Sequence, residues 1–300
     1  MKILVTGSTG LVGTALIDSL ETNGHQVLRL VRRTPRNAAT EIEWHPEQGR
    51  VANQDAFEGL DAAVHLAGES VAEGRWTPEK KARIRESRVQ GTTLLAETLA
   101  KLQRPPRVFA SASAIGIYGN RGDEVLAEES APGKGFLAGV CCEWEQATAV
   151  AEEIGIRVAH LRFGIVLSSK GGALAKLLTP FKLGAGGKIG NGKQWMSWIA
   201  IDDVIAAIHK VISADDMNGA VNLVAPNPVT NAELTETLGR VLERPTLLNV
   251  PAFAARIAFG EMADALLLSS ARVQPVKLLE SGYVFKHTQL EGALRHILKQ

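Results

Sequence analysis

The sequence predicts an α/β fold: a doubly wound parallel sheet with a smaller C-terminal substrate-binding domain. In the first half of the chain, short apolar runs alternate with segments of helical periodicity, which is typical of a parallel sheet with helices on both faces. After Leu167 the pattern changes to a glycine-rich loop and shorter helical segments. We expect residues 1–165 and 200–224 to form the larger domain, and residues 166–199 and 225–300 to form the smaller one.

The first unit of this pattern is a strand, a glycine-rich turn and a helix. An apolar strand precedes Gly7, Gly10 and Gly13, and residues 11–20 carry apolar side chains at helical spacing. Glycine permits a sharp turn and lets backbone N–H groups approach an anion at a helix N-terminus. With the second strand, residues 26–31, the unit has the length of about 30 residues that holds a dinucleotide pyrophosphate in Rossmann-type folds. The alternative is a tight connection without a ligand. A Walker loop is excluded because no Lys-Ser or Lys-Thr pair follows the last glycine.

The later elements continue the alternation. Strands are expected from short apolar runs, and helices from apolar residues at helical spacing. Thr230 and Glu233 also have the spacing of a capping box ahead of a helix. The expected strands are 61–68, 107–114 and 157–167, and the expected helices are 78–99, 141–155, 201–214 and 232–243.

Composition and charge exclude several classes of function. The chain carries 33 basic and 32 acidic residues, which gives no general electrostatic case for a nucleic-acid partner. No uncharged apolar run reaches the ~20 residues that span a bilayer, and Met1 leads directly into the first strand without a signal peptide, so we expect a cytoplasmic protein without a membrane partner.

Cys141 and Cys142 are adjacent and unsuited to an unstrained disulfide, which also favours a reducing cytoplasm. The histidines show no ligand spacing with Cys, Asp or Glu, so we expect no metal site.

Several stretches resemble the extended short-chain dehydrogenase/reductases, a group that includes nucleotide-sugar epimerases and reductases. They are TGSTGLVG, DAAVHLAG, GTTLLAETL, SASAIGIYG, LRFGIVL and WIAIDDV. The stretches FLAGVCCEWE, KIGNGKQWMSWIAIDDV and GEMADALLLSSARVQPVKLLESGYVF further resemble an atypical NAD(P)-dependent epimerase-family branch with a distinct C-terminal segment. The resemblance covers nearly the whole chain. It implies the Rossmann-type fold, a nicotinamide dinucleotide and a small polar or nucleotide-sugar substrate.

The usual acid–base pair of these relatives is missing. Extended members use a Tyr with a Lys four residues later, because the Lys lowers the Tyr pKa and the phenol can exchange a proton while hydride moves. The tyrosines of this chain are Tyr118 and Tyr283, and Gly122 and His287 stand four residues after them. The segment FLAGVCCEWE occupies the place where the family has the pair.

Ser113 and Tyr118 are the candidate catalytic residues. Alignment through Tyr118 and Gly119 places Ser113 near the Ser or Thr that assists catalysis in extended members, where it would polarise a substrate oxygen. The structural alternatives are a strand-end hydrogen bond for Ser113 and a packing role for Tyr118. A water molecule is a further candidate for the proton donor.

The end of the second strand predicts the choice of cofactor. Val31 is followed there by Arg32 and Arg33, where NAD-preferring folds often carry an acid for the ribose hydroxyls. An arginine would instead bind a 2′-phosphate through two hydrogen bonds, so the sequence predicts NADP; a solvated strand edge is the alternative. The candidate cofactor-binding residues are Gly7, Thr9, Gly10, Leu11, Val12, Gly13, Val31, Arg32, Arg33, Leu66, Ala67, Gly68, Arg83 and Arg88.

Arg88 lies on an otherwise apolar face of a predicted helix. On an ideal helix it shares that face with Ile84, Gly91 and Leu95, so it should point toward the sheet or its cleft. Extended relatives usually carry Asn at this position. We expect Arg88 to contact a phosphate or the substrate, with an internal ion pair as the alternative, and Arg83 could join it.

The leading hypothesis is an NADP-dependent oxidoreductase or epimerase that acts on a small polar or nucleotide-sugar substrate. Open α/β sheets bind ligands beyond the carboxyl ends of their strands, so the substrate should lie between Ser113, Tyr118 and the glycine-rich loop. The loop residues expected there are Lys188, Asn191, Gln194 and Trp195. The rival hypothesis is a non-catalytic NADP-binding redox sensor or interaction module, because nucleotide motifs without a Tyr/Lys pair suit such a protein.

Overall fold

A computed structural model describes residues 1–299 of the chain. The strands, numbered in chain order, are β1 (Lys2–Thr6), β2 (Gln26–Val31), β3 (Glu41–His45), β4 (Arg50–Val51), β5 (Ala62–His65), β6 (Val108–Ala114), β7 (Val125–Leu126), β8 (Arg157–Phe163), β9 (Ile165–Leu167), β10 (Gly187–Ile189), β11 (Trp195–Met196), β12 (Trp198–Ala200), β13 (Gly219–Leu223), β14 (Val229–Thr230), β15 (Leu248–Val250) and β16 (Arg272–Val273). An eight-stranded sheet has the order β13-β8-β6-β5-β1-β2-β3-β4. Its strands are parallel except for the β3–β4 pair.

Helices cover both faces of this sheet. They are α1 (Leu11–Thr22), α2 (Pro78–Ala100), α3 (Phe136–Gln146), α4 (Ala149–Glu153), α5 (Gly172–Lys182), α6 (Ile201–Ser213), α7 (Asn231–Leu242), α8 (Ala252–Phe259), α9 (Val276–Glu280) and α10 (Leu290–Leu298). Side chains alternate along β1, so that Ile3 and Val5 enter a core shared with α1 and α6, whereas Leu4 enters a core shared with α2 and α4. These two cores confirm the predicted doubly wound parallel sheet.

The C-terminal half builds a third core from α5, α7 and α10. Phe181, Leu238 and Leu294 meet there, and the buried indole of Trp198 joins them. Strand β13 lies outside this core and returns to the edge of the central sheet beside β8. Among residues 1–299, no helix combines the length and the apolar character needed to cross a bilayer.

The strand predicted over residues 157–167 is interrupted, and that prediction is wrong at Gly164. A Cβ at this position would lie 2.6 Å from Val224 Cγ1 and 2.7 Å from the Ser197 carbonyl oxygen. The chain changes partners at the glycine: β8 pairs with β13, and β9 pairs with β12. The sheet therefore ends here, and the next residues turn toward the C-terminal core.

The helix predicted over residues 141–155 is also divided. It begins earlier, at Phe136, and ends at Gln146, after which α4 starts at Ala149. The hydroxyl of Thr148 donates to the Glu145 carbonyl oxygen at 2.8 Å, an alternative to the helical ladder that short polar side chains offer. By contrast, the predicted capping box of α7 is confirmed, with both hydrogen bonds between Thr230 and Glu233 present.

Candidate functional site

The turn after β1 owes its shape to two of its three glycines. Gly7 has a positive φ of 65°, and a Cβ there would lie 2.7 Å from the carbonyl carbon and oxygen of Leu66. A Cβ on Gly13 would lie 2.2 Å from the carbonyl oxygen of Gly7. Gly10 differs, because it is exposed and its backbone, with φ −77° and ψ 169°, suits any residue. The protein fold thus requires Gly7 and Gly13, whereas the absence of a side chain at Gly10 keeps the space above the turn open.

Thr6, the last residue of β1, ties this turn to the end of β5. Its Oγ1 accepts hydrogen bonds from the backbone N–H groups of Leu66 at 3.0 Å and Ala67 at 3.1 Å. Both lone pairs are then used, so the hydroxyl donates to Nδ1 of the buried His65 at 2.7 Å. Burial, and then the charge of Arg88, lower the pKa of His65 to about 3, so the ring is neutral with its proton on Nε2.

A cavity of about 630 Å³, here named the turn cavity, opens above the glycine turn. The ends of β2 and β5 and one side of α2 form its other walls. The predicted cofactor-binding residues that line it are Gly7, Thr9, Gly10, Val31, Arg32, Arg33, Leu66, Ala67, Gly68 and Arg83. Leu11 lines a second cavity, of about 1270 Å³, beside α1 and α6, whereas Val12, Gly13 and Arg88 line neither cavity. Trp44 and Pro46 line the turn cavity as well, and no motif in the sequence marks them.

Arg32 and Arg33 have different electrostatic surroundings. Arg33 makes two hydrogen bonds to Glu41, at 2.9 and 2.7 Å. These bonds, and after them the one from the backbone N–H of Arg36, lower the pKa of the Glu41 carboxyl to about 2. The charge of Arg33 is therefore offset by a fixed carboxylate. Arg32 is exposed at the mouth of the turn cavity, and no carboxylate among residues 1–299 lies within 4 Å of its guanidinium. Arg32 is the arginine of the pair whose charge is available to a ligand.

Arg88 is held inside the protein by main-chain oxygens. Its Nη1 donates to the carbonyl oxygens of Glu69 at 2.9 Å and Ile84 at 3.0 Å, and its guanidinium lies 4.9 Å from the ring centre of Trp144. Within the described part of the chain it has no carboxylate partner, so the internal ion pair considered as an alternative does not form. A Cβ on Gly68 would lie 3.3 Å from Cζ of Arg88. The guanidinium of Arg88 therefore packs directly against the residues that follow β5 and line the turn cavity.

Arg83, five residues before Arg88 on α2, occupies the rim of the turn cavity. Its side chain is 59% exposed, and its Nε lies 3.9 Å from Oε1 of Glu69. The same carboxylate accepts a hydrogen bond from Lys80 at 2.6 Å, and this bond is the main reason why the pKa of Glu69 is lowered. Arg83 is thus a solvated cation with a shared counter-charge.

Ser113 and Tyr118 belong to one buried hydrogen-bond network. Ser113 donates to Glu145 Oε1 at 2.7 Å, and Arg162 donates to both oxygens of that carboxylate at 2.8 and 2.9 Å. Another nitrogen of Arg162 donates to the Tyr118 hydroxyl at 2.9 Å, and this hydroxyl donates to Asn222 Oδ1 at 2.8 Å. Burial raises the pKa of Tyr118. Burial alone would raise the pKa of Glu145 too, but the bonds and charge of Arg162 lower it.

Both candidate catalytic residues are enclosed by the protein. Tyr118 is fully buried and Ser113 is 2% exposed, and neither lines the turn cavity, the cavity of about 1270 Å³ or the two cavities described next. Ile115 and Gly116, which follow Ser113 closely in sequence, do line one of the last two cavities. The roles as strand-end hydrogen bond and packing residue describe the present contacts, and a part in proton transfer stays a prediction.

That cavity, here named the apolar cleft, has a volume of about 500 Å³ and lies beyond the carboxyl end of β6. Its aromatic wall consists of Trp76, Phe136 and Trp195, with the rings of Trp76 and Phe136 5.2 Å apart in an edge-to-face arrangement. Arg256 also lines the cleft and pairs with Asp264 at 2.9 Å. Trp76 and Arg256 come from segments without a recognised motif, so the sequence does not mark them. Phe136 begins the segment FLAGVCCEWE, but nothing in that segment marks Phe136 itself as a site residue.

The glycine-rich loop divides between two cavities. Of the loop residues expected at the substrate, Trp195 lines the apolar cleft, and Asn191 and Gln194 line an adjacent cavity of about 590 Å³. Both cavities share Arg256, so the two spaces adjoin. Lys188 lines neither of them.

The parallel sheet, the glycine turn and the cavity above it define a Rossmann-type α/β protein with a nucleotide-type site at its first strand. The chain belongs to the NAD dependent epimerase/dehydratase family, whose model matches residues 3–223. Residues 250–297 match a second model, described as Domain of unknown function (DUF1731). Family membership supports a nicotinamide dinucleotide as the cofactor.

Individual relatives agree with this assignment. Epimerase family protein ML0860 of Mycobacterium leprae is 42% identical over 98% of this chain and 94% of its own length. The crystal structure of human epimerase family protein SDR39U1 with NADPH has a TM-score of 0.92 at 32% identity and covers all of both chains. A nucleoside-diphosphate sugar epimerase structure from Corynebacterium glutamicum has a TM-score of 0.81 at 40% identity, over 99% of this chain and 58% of that one.

Proposed function

We propose that this chain is an NADP(H)-dependent oxidoreductase or epimerase-like enzyme that binds the dinucleotide in the turn cavity. The observation that carries the proposal is the pair of arginines after β2. Glu41 forms an ion pair with Arg33, whereas Arg32 forms no ion pair among residues 1–299, and the carboxylates of Glu47 and Glu69 act on it only at longer range. A 2′-phosphate is the part of NADP that NAD lacks, and a planar guanidinium suits it. The relative solved with NADPH supports the same choice.

The remaining cofactor contacts follow from the turn. The backbone N–H groups of Leu11 and Val12 begin α1 and have no acceptor within the helix, so they are available to the pyrophosphate. Leu66, Ala67 and Gly68 flank the dinucleotide at the end of β5, and Arg83 adds a solvated cation at the rim. Arg88 positions Gly68 from below rather than contacting a phosphate directly.

The substrate lies in the apolar cleft in this proposal. When bound, the nicotinamide ring supplies or accepts the hydride. Trp76, Phe136 and Trp195 give the cleft an aromatic wall, and Arg256 is already paired with Asp264, so we expect a small carbonyl compound or alcohol with an apolar body. A nucleotide-sugar needs cations for its diphosphate, and Arg256 and Lys134 are the cations that line the cleft.

Ser113 is the preferred residue for proton transfer, ahead of Tyr118. It is the penultimate residue of β6 and stands two residues before Ile115, which lines the cleft, whereas the Tyr118 hydroxyl lies between Arg162 and Asn222. For Ser113 to contact a substrate oxygen, its hydroxyl has to turn away from Glu145. Water in the cleft is the other donor that the proposal admits. The free thiols Cys141 and Cys142 fit the reducing cytoplasm that we propose as the location.

The second candidate is a non-catalytic NADP(H)-binding module, and the internal bonding of both tyrosines favours it. Tyr118 bonds to Arg162 and Asn222, and the hydroxyl of Tyr283 bonds to Asp203. One experiment separates the two candidates. Purified protein is tested for NADPH oxidation with a panel of aliphatic and aromatic carbonyl compounds, and for epimerisation of UDP-sugars by NMR. Turnover with any member supports the enzyme; tight NADPH binding without turnover favours the module.

A further inference from the structure

Three potential metal ligands meet beside the cavity of about 1270 Å³ next to α1 and α6, here named the large cavity. Asp202 lies in the first turn of α6, His287 follows α9, and His296 lies in the last turn of α10. Their side-chain oxygen and ring nitrogens all lie within 4.8 Å of one another. We name them the His–Asp group. The sequence predicts no metal site because these residues are far apart in the chain and have no ligand spacing.

The fold holds each member of the group in place independently. The buried carboxylate of Asp203 accepts hydrogen bonds from the backbone N–H groups of Lys286 at 2.7 Å and His287 at 3.0 Å. This fixes the main chain that carries His287. Leu294 of α10 is buried in the C-terminal core and anchors the helix that carries His296. A site whose ligands are fixed before the ion arrives loses little conformational entropy on binding.

A single ion pair does not account for all the contacts within the His–Asp group. His296 Nε2 lies 2.8 Å from Oδ2 of Asp202, and a simple ion pair explains that distance. It does not explain why the ring of His287 lies 4.6 Å, centre to centre, from the ring of His296. Among residues 1–299 the nitrogens of the His287 ring have no hydrogen-bond partner. One ligand atom from each of two imidazoles and one carboxylate therefore lies close enough to the others to bind a single ion.

We propose that the His–Asp group binds one divalent cation of the borderline class, such as Zn²⁺, through two imidazole nitrogens and one carboxylate oxygen. These are the donors that Zn²⁺ prefers, with a fourth position open to water because His296 is 56% exposed on its side chain. Bond lengths of about 2.0–2.2 Å put tetrahedral ligands roughly 3.5 Å apart, so small side-chain rotations close the site. The cation would link α6, beside the glycine turn, to the C-terminal segment that carries both histidines.

Neighbouring charges set the expected strength. Lys286 and Lys299 line the same large cavity as Asp202 and His296, and their positive charges oppose a cation. The only carboxylate in the His–Asp group is Asp202, so charge neutralisation is incomplete. We therefore expect weaker binding than at a four-ligand structural zinc site, and a steep loss of affinity when either imidazole is removed.

The test is a titration of untagged, chelator-treated protein with Zn²⁺ by calorimetry, and with Co²⁺ by visible absorption. Wild type should bind one ion per chain and give a Co²⁺ spectrum of four-coordinate type. His287→Ala and His296→Ala should each lose about tenfold or more in affinity for Zn²⁺. Removing only a group that hydrogen-bonds to a metal ligand already costs about that much, so removing a ligand itself should cost at least as much. His209→Ala is the matched control, because His209 lines the same cavity but bonds to Ser19.

Three results would overturn the proposal: no binding by wild type above the His287→Ala/His296→Ala double variant, wild-type affinity in His287→Ala, or an equal loss in His209→Ala. Each variant is first compared with wild type by NADPH titration and thermal melting. If His296→Ala unfolds, His287→Gln replaces it, because the ring of His287 has no partner to lose. A loss of Zn²⁺ affinity with unchanged NADPH affinity supports the site.

Discussion

Arg32→Ala should lower the affinity for NADPH and leave the affinity for NADH nearly unchanged. Arg32 is the exposed arginine at the turn cavity, and NADPH alone carries the phosphate that it would bind. A hydrogen bond to a charged group contributes about 1.5–3 kcal/mol, and about 1.4 kcal/mol is a factor of ten, so the ratio of the two dissociation constants should change by about 10- to 150-fold.

The control for this prediction is the double variant Arg33→Gln/Glu41→Gln. It removes the neighbouring ion pair as a unit, because Arg33→Gln alone would leave the ionised Glu41 facing the phosphate. Because the variant removes one positive and one negative charge together, the net charge beside the cavity is unchanged, and the NADPH-to-NADH ratio should change by less than about fivefold. Both nucleotides are titrated by fluorescence at fixed ionic strength. Equal losses of NADPH and NADH in Arg32→Ala, or a larger change of ratio in the control, would refute the assignment.

Three further predictions concern stability. In urea melts, Gly7→Ala should lower the free energy of unfolding by more than Gly24→Ala. Both glycines have positive φ, which costs an alanine about 1–2 kcal/mol, but only the Cβ at Gly7 would also clash with Leu66. Tyr118→Phe should cost about 1–3 kcal/mol of stability, because it leaves Asn222 and Arg162 each without a buried hydrogen-bond partner. The NADPH affinity should stay unchanged, and a shifted affinity would contradict the hydrogen-bond network described above. The pKa of His65 is lower in the folded protein than in the unfolded chain, so on acidification the unfolded chain takes up a proton at His65 at higher pH than the folded protein does. The free energy of unfolding therefore falls as the pH drops below about 6.5. His65→Gln should therefore lose about 2 kcal/mol less than wild type between about pH 7 and pH 5, and equal losses would contradict the neutral ring.

Local sequence signals were enough to predict the central fold. Residues close together in the sequence are enough to predict the glycine turn, the alternation of strands and helices, and the capping box of α7. The division of the strand at Gly164 was not predictable, because its cause is the approach of Ser197 and Val224 from distant parts of the sequence.

The site was predictable only where a motif marks it. The turn residues and Arg32 follow directly from the strand that precedes them, but the sequence does not distinguish Arg32 from Arg33, since Glu41 arrives from the next strand. Ser113 and Tyr118 could be chosen by position, whereas their enclosure by Arg162 depends on how β6 and β8 pair. The His–Asp group arises entirely from the docking of the C-terminal segment.

The central claim is that the dinucleotide pyrophosphate lies on the turn at Gly10, and an NADPH titration of Gly10→Val tests it most directly. The backbone of Gly10 suits valine, with its nearest neighbour, the Gly7 oxygen, 3.2 Å from the new Cβ, so the fold should survive while the space above the turn is filled. Gly292→Val, an exposed glycine whose Cβ would meet nothing within 4 Å, is the control. We predict a loss of NADPH affinity of about tenfold or more in Gly10→Val, with wild-type affinity in Gly292→Val. Equal affinities in Gly10→Val and wild type, with the thermal melts unchanged, would contradict the claim.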